Sequence, residues 1–144
     1  MNQLEIYLLL FTDTLVSNFA INNSTDLAIS SMKTFSGLYN PYIVLITATC
    51  AVIAAFSANY VLGIACYKIL APMNAAESNK GNSEKIEVIR NLKLLPFILL
   101  LSGAPFFGKF VILFAGFCRI PFIKTIIIGS IAKSIYYAIT YLLL

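Results

Sequence analysis

The sequence predicts an all-α integral membrane protein, and three observations carry that reading. The chain of 144 residues is 60% hydrophobic and only 11% charged, whereas an average soluble domain is about 45–50% apolar and about a quarter charged. Its mean hydropathy is +0.88. The apolar residues gather into four blocks, and the 34 residues between Lys33 and Lys68 carry no charge. That stretch holds one spanning helix of about 20–25 residues plus an approach segment. Disorder is excluded by hydrophobicity, and collagen and coiled coil by the absence of a G-X-Y or heptad pattern. Ten Lys plus Arg against six Asp plus Glu give +4. In a chain this apolar, that excess bears on orientation in a membrane and not on nucleic acid, because no soluble basic face exists to hold phosphates.

The first block, Leu4 to Ile21, contains Glu5 and Asp13. It lacks a basic leader and a small-x-small cleavage site, so it reads as mature structure and not as a signal peptide. The polar run SNFAINNSTD, Ser17 to Asp26, breaks it. The second block, Pro41 to Leu70, is a spanning helix. Pro41 suits a first helical turn, Tyr39 and Tyr42 suit an interfacial belt, and Ala51, Ala54, Ala55, Ser57, Ala58 and Gly63 permit close packing without a strict GxxxG. The polar linker, 71–93, carries Lys80, Lys85, Arg90 and Lys93, which places it in the cytoplasm. Asn82 or Ser83 can cap a short helix there, with Ile86, Ile89 and Leu92 as an apolar stripe that meets a membrane surface or stays solvated.

The third block, Leu94 to Cys118, holds Pro96, Gly103, Pro105, Gly108 and Lys109. Proline removes a backbone donor and glycine loosens the helix, so SGAPFFGK, Ser102 to Lys109, is a break. A kinked span and a re-entrant hairpin both satisfy it. Re-entry returns Arg119 and Lys124 to the cytoplasmic side, which the positive-inside rule favours. The fourth block, Ile120 to Leu144, spans outward. The halves 1–70 and 94–144 therefore share an order, a broken block followed by a spanning helix. One span separates them, so they face opposite ways. This is an inverted repeat of re-entrant hairpin plus transmembrane helix within one membrane domain, 1–144.

Little enzymatic chemistry is available. There is no histidine, which removes Ser-His-Asp and Cys-His nucleophiles and the commonest metal ligand. Cys50, Cys66 and Cys118 are far apart in apolar runs and read as free thiols, with no metal or cofactor set. Gly103, Gly108 and Gly116 lack Walker or dinucleotide spacing, and Asn22 and Asn23 start sequons of a kind frequent by chance. The unusual feature is charge in the apolar blocks. No acid follows Glu87, while Arg90, Lys93, Lys109, Arg119, Lys124 and Lys133 remain. A cation at membrane depth costs at least about 2.5–3.5 kcal/mol, so it has a partner or lines a cavity. Lys109, Arg119 and Lys133 are candidates for an anionic-headgroup site, with Asp13 and Asp26 as available counter-charges. The competing reading is snorkelling of Arg119 and Lys124 and a buried Lys133–Asp pair.

Four stretches resemble the DedA/VTT (SNARE-associated Golgi protein-type) superfamily, in its short YqaA-type branch. They are INNST (Ile21 to Thr25), NYVLG (Asn59 to Gly63), LLLSGAPFFGKFVILFAGFCRI (Leu99 to Ile120) and AKSIYY (Ala132 to Tyr137). The most specific match is Pro105-x-x-Gly108 followed by Ala115-Gly116-x-x-Arg119, then Lys133 and Tyr137. The resemblance implies two re-entrant hairpins, a bacterial inner-membrane location and lipid movement, with undecaprenyl phosphate and phosphatidylethanolamine among the lipids of the family. It implies headgroup contacts at Gly108, Lys109, Arg119 and Lys133, with Asp26 taking an acidic slot. The departures are specific. Ile21, Asn22 and Thr25 stand where the family has Pro-Gly and a glutamate, Gly108-Lys109 replaces Gly-Asp, and Ile64 and Tyr136 occupy basic positions. Proton coupling thereby loses its usual carboxylates. The expectations are a non-enzymatic lipid flippase or scramblase with membrane lipids as partners and room for homo-oligomers, or a diverged structural protein of the same fold.

Overall fold

The computed structural model describes residues 3–20, 39–73, 87–88, 95–104 and 107–142. Asp26, the INNST stretch, the charged linker residues Lys80, Lys85, Arg90 and Lys93, and Pro105 lie outside them. The described residues are helical, with no strand among them. The elements are α1 (Gln3–Ser17), α2 (Pro41–Met73), α3 (Leu95–Leu100) continuing into a 3₁₀ turn (Leu101–Gly103), α4 (Phe107–Phe117) and α5 (Phe122–Leu142).

Each boundary has a local cause. Asn40 caps α2: its Oδ1 accepts the Tyr42 N–H at 3.1 Å, its carbonyl accepts Val44 N–H at 3.1 Å, and Pro41 fills the first helical position. α4 ends in a Schellman turn, with Ile120 N–H donating to Ala115 O and Arg119 N–H to Gly116 O, both at 3.0 Å. Arg119 sits in this turn at φ 54°. Glycine is the usual occupant, and a side chain there costs about 1 kcal/mol.

α2 is the axis of the fold, about 50 Å long at 1.5 Å per residue. Val44, Ala48, Val52, Phe56 and Tyr60 recur every fourth residue on its buried face and pack with Leu10, Ile112, Ile126, Tyr137 and Tyr141. α1 runs parallel to α2, since Tyr7 meets the Tyr39 ring edge-on at 6.5 Å and Asn18 meets Asn59. α5 runs antiparallel to α2, with the Phe122 ring against Tyr60 at 5.1 Å and Ser134 hydrogen-bonded to Thr49 at 3.1 Å.

The segment from Leu95 to Phe117 is a helical hairpin. Leu99 clusters with Ala115, Cys118 and Ile120, and Leu95 at the start of α3 packs against the same cluster, so α3 lies beside the end of α4 and the chain reverses between them. Close backbone approaches hold it. A Cβ on Gly116 would collide with the Tyr60 carbonyl, and one on Gly63 with the Leu113 carbonyl, so α2 and α4 touch backbone to backbone. At the reversal a Cβ on Gly108 would strike the Ser102 carbonyl. The Tyr60 hydroxyl then donates to Ile120 O at 2.6 Å and ties the hairpin end to α2.

The outward surface is apolar. Ile123, Ile127, Ile131, Ile135 and Ile139 form an exposed ridge along α5, and Phe107, Phe110 and Phe114 do the same on α4. Pro41–Leu70 and Phe122–Tyr141 are long and apolar enough to cross a membrane, and only 33% of the most apolar part of each is buried within the protein. On α2, Ile46, Ile53 and Val61 likewise stand exposed.

Candidate functional site

Two interruptions of the helices face the interior, and different chemistry builds each. The first follows α1. Its last turn is drawn in by its own side chains: Ser17 Oγ donates to Asp13 O at 2.7 Å and Asn18 Nδ2 to Thr14 O at 2.8 Å. Beyond it, Asn59 of α2, fully buried, supplies what a continuing helix would have supplied. Its Oδ1 accepts Ala20 N–H at 2.9 Å and its Nδ2 donates to Asn18 O at 2.8 Å. Asn18 Nδ2 also donates to the Tyr137 hydroxyl of α5 at 2.7 Å. Three elements thus meet around two asparagines whose amide groups are engaged with protein.

The second interruption is the reversal between α3 and α4. Ser102 and Gly103 are buried there, Gly103 against the backbone of Ala132 and the Ser102 hydroxyl beside Gly129. The Ser102 hydroxyl is fully buried without a hydrogen-bond partner, as is that of Thr14 in α1. α4 and α5 form an antiparallel pair about the Cys118–Pro121 turn, with Ile112 opposite Gly129. One helical turn further from that turn on each helix stand Lys109 and Lys133, at the same level of the pair. Both lysines are 5% exposed, and neither is without an interaction partner. The Lys133 ammonium lies 4.9 Å from the Tyr136 ring centre and 5.2 Å from that of Tyr137, within cation–π range. Tyr137 therefore joins the two interruptions, its hydroxyl on Asn18 and its ring under Lys133.

The structure brings Lys109 and Lys133 to one level and seats Gly108 on Ser102, but it does not add Arg119 to that group. Arg119 is exposed at the far end of α4, ten residues and about 15 Å along the axis from Lys109. Its guanidinium lies 4.5 Å from the Tyr67 ring centre. Asp26 is outside the described residues. Asn18, Asn59 and Ser102 were not singled out as site residues. An asparagine in an uncharged apolar run was a readable signal, since an amide in such surroundings needs partners. The partners themselves were not readable. Among the described residues no group of three or more His, Cys, Asp or Glu could hold a metal.

The fold and site define an all-helical protein with two helices of membrane-crossing length and polar interruptions in its interior. The chain is 38% identical over 140 residues to the uncharacterized protein RP436 of Rickettsia prowazekii (strain Madrid E), with 96% of each chain covered. It belongs to the same protein family as RP436. No protein-family model and no solved structure matches it.

Proposed function

We propose that this is a multi-pass inner-membrane protein that moves anionic or isoprenyl-phosphate lipids across the bilayer as a flippase or scramblase. The observation that carries the reading is the pair of buried lysines, Lys109 and Lys133, at the reversal of a hairpin inside a protein with an apolar exterior. Cations are costly at such depth and are found where an anion, a counter-charge or a polar path compensates them.

The arrangement of the elements supports the same reading. α1 enters beside the start of α2 and its interruption reaches Asn59, near the middle of that helix. The second hairpin enters from the opposite end, where Phe117 packs on Tyr67, and reverses where Ser102 and Ile112 meet Gly129 and Phe56. Two interruptions approaching from opposite ends are what an inverted repeat of re-entrant hairpins requires. Arg119, Lys124 and Lys68 then fall on the cytoplasmic side together with the basic linker, as the positive-inside rule favours. The DedA/VTT resemblance implies the same class of activity. With no histidine in the sequence and, among the described residues, no group of His, Cys, Asp or Glu that could hold a metal, the site suits a carrier that leaves its cargo unaltered.

One observation favours a second reading, a structural or assembly membrane protein. The first interruption is closed by protein groups alone, Asn59 against Asn18 and Ala20. The test is translocation of labelled phospholipid and of an isoprenyl phosphate by the purified protein in liposomes. Transport above protein-free liposomes that Lys109→Gln or Lys133→Gln abolishes, with folding retained, supports the carrier. Background rates from a correctly inserted protein support the structural reading.

A further inference from the structure

Along α5 two rows of residues lie side by side, each at four-residue spacing. Ile127, Ile131 and Ile135 stand outward, every one of them more than half exposed. Beside them Ser130, Ser134 and Ala138 are small and line a groove that Thr49 and Ile53 of α2 close on the other side. No charged side chain lines this groove. A ridge next to a groove of the same pitch is a surface into which a second helix packs, and small residues in such a row let two backbones come close.

One hydroxyl in the groove departs from the pattern of its neighbours. Thr47, Thr49, Ser57 and Thr140 each donate to the carbonyl four residues back, at 2.7–2.9 Å. Ser134 meets Thr49 of α2 at 3.1 Å, and it is the donor there, because the Thr49 proton is committed to Leu45 O. Ser130 lines the same groove one helical turn away and is 7% exposed, yet its hydroxyl has no partner. A buried hydroxyl is costly to leave without an acceptor.

We propose that the groove between α2 and α5 receives a second copy of this chain, with the isoleucine ridge of each copy on the small-residue row of the other and the Ser130 hydroxyl bonded to the facing helix. Three features select this occupant. Ridge and groove are adjacent rows of one helix, so a two-fold axis sets each against its complement in the partner. The groove is uncharged, so two copies meet without bringing like charges together. A hydrocarbon chain fills such a groove but offers no acceptor, whereas a helix brought close by small residues offers carbonyls and hydroxyls. The proposal takes the membrane setting from the reading above and does not depend on transport.

The test counts copies of the purified full-length protein by single-molecule photobleaching in liposomes of phosphatidylcholine and phosphatidylglycerol, over a range of protein-to-lipid ratios. The wild type is expected to pass from one bleaching step to two as its density rises. Ala138→Leu fills the small-residue row, and Ile131→Ala, at an exposed position that the fold does not need, removes the middle of the ridge. Both are expected to stay monomeric at the density where the wild type is half dimeric, while Phe110→Ala on the outward face of α4 behaves as wild type. Ser130→Ala deletes one hydroxyl from each partner and breaks no bond within the chain. It is expected to weaken dimerisation by roughly tenfold, as for two interhelical hydrogen bonds, without lowering the melting temperature. Single steps from the wild type at every density would leave the groove to lipid hydrocarbon and overturn the proposal. So would a dimer that Ala138→Leu and Ile131→Ala both leave intact, or a Ser130→Ala dimer as tight as the wild type. Copies are counted without any translocation, so this proposal and the carrier reading fail separately.

Discussion

The two interior interruptions solve one problem in different ways. A helix that stops inside an apolar environment leaves backbone donors and acceptors without partners. At the end of α1 the solution is side-chain hydrogen bonding, with Asn59 reaching across from α2 to serve Ala20 N–H and Asn18 O. Between α3 and α4 the solution is proximity. Gly108, Gly103 and Gly129 let backbone and small side chains close directly on one another, and Gly108 N–H finds Ala104 O at 3.1 Å across the turn. The first interruption leaves its amides occupied and the Thr14 hydroxyl buried without a partner. The second leaves a buried hydroxyl, Ser102, unpartnered near the level where Lys109 and Lys133 stand.

Substitutions can break or sharpen this contrast. The largest effect is expected where packing alone holds the hairpin. Gly116→Leu and Gly63→Leu each drive a side chain into a backbone carbonyl of the facing helix, and no flexible neighbour can yield. Both should abolish recovery of a monodisperse protein by size-exclusion chromatography, because the cost exceeds the roughly 4–5 kcal/mol beyond which single changes become exceptional. A well-behaved Gly116→Leu protein would mean that α2 and α4 are not in backbone contact.

Next in size is the interruption held by hydrogen bonds. Asn59→Leu strands one backbone donor and one acceptor, each worth about 1–3 kcal/mol when buried, so the melting temperature should fall without loss of the folded state. If proximity and not hydrogen bonding closed this break, Asn59→Leu would melt like wild type. Lys109→Gln and Lys133→Gln address the second interruption, and their signature is functional, a loss of translocation with near-normal melting. Stability unchanged and transport unchanged would remove both lysines from any site.

Smaller still is Tyr137→Phe, which takes one acceptor from Asn18 Nδ2 while keeping the ring under Lys133. It should cost about 1 kcal/mol, measured by melting, and much less than Asn59→Leu. The mildest test is chemical. A thiol must be reached by the reagent before it can react. Cys118 is buried in the turn at the end of the hairpin, whereas Cys50 and Cys66 are exposed. A membrane-permeant maleimide should therefore modify Cys50 and Cys66 readily and Cys118 slowly, as read by mass spectrometry. Fast labelling of Cys118 would show that the hairpin opens.

Much of this was readable one residue at a time. Pro41 after Asn40 announced the start of α2, and the uncharged run behind it announced its length. SGAPFFGK announced a break, and the buried character of Lys133 followed from its place in an apolar helix. The direction in which the chain leaves the break rested on charge bias alone, because proline and glycine specify that a helix is interrupted and not where the next one goes. That direction follows from Leu99 packing on Ala115 and Cys118.

The grouping of the cations divides along the same line. Lys109, Arg119 and Lys133 are alike in sequence, each a cation in an apolar block, so composition alone put them in one site. Pairing Ile112 with Gly129 brings Lys109 level with Lys133, whereas Arg119 lies in the turn beyond the far end of α4. The sequence by itself determined the lengths of the two long apolar helices and the positions of the interruptions, because hydropathy and backbone chemistry are local properties. Which polar groups meet across those interruptions was decided only by the tertiary structure. Asn59, Asn18 and Tyr137 stand 41 and 119 residues apart along the chain, and only the packing of α1 and α5 on α2 brings them within hydrogen-bond distance.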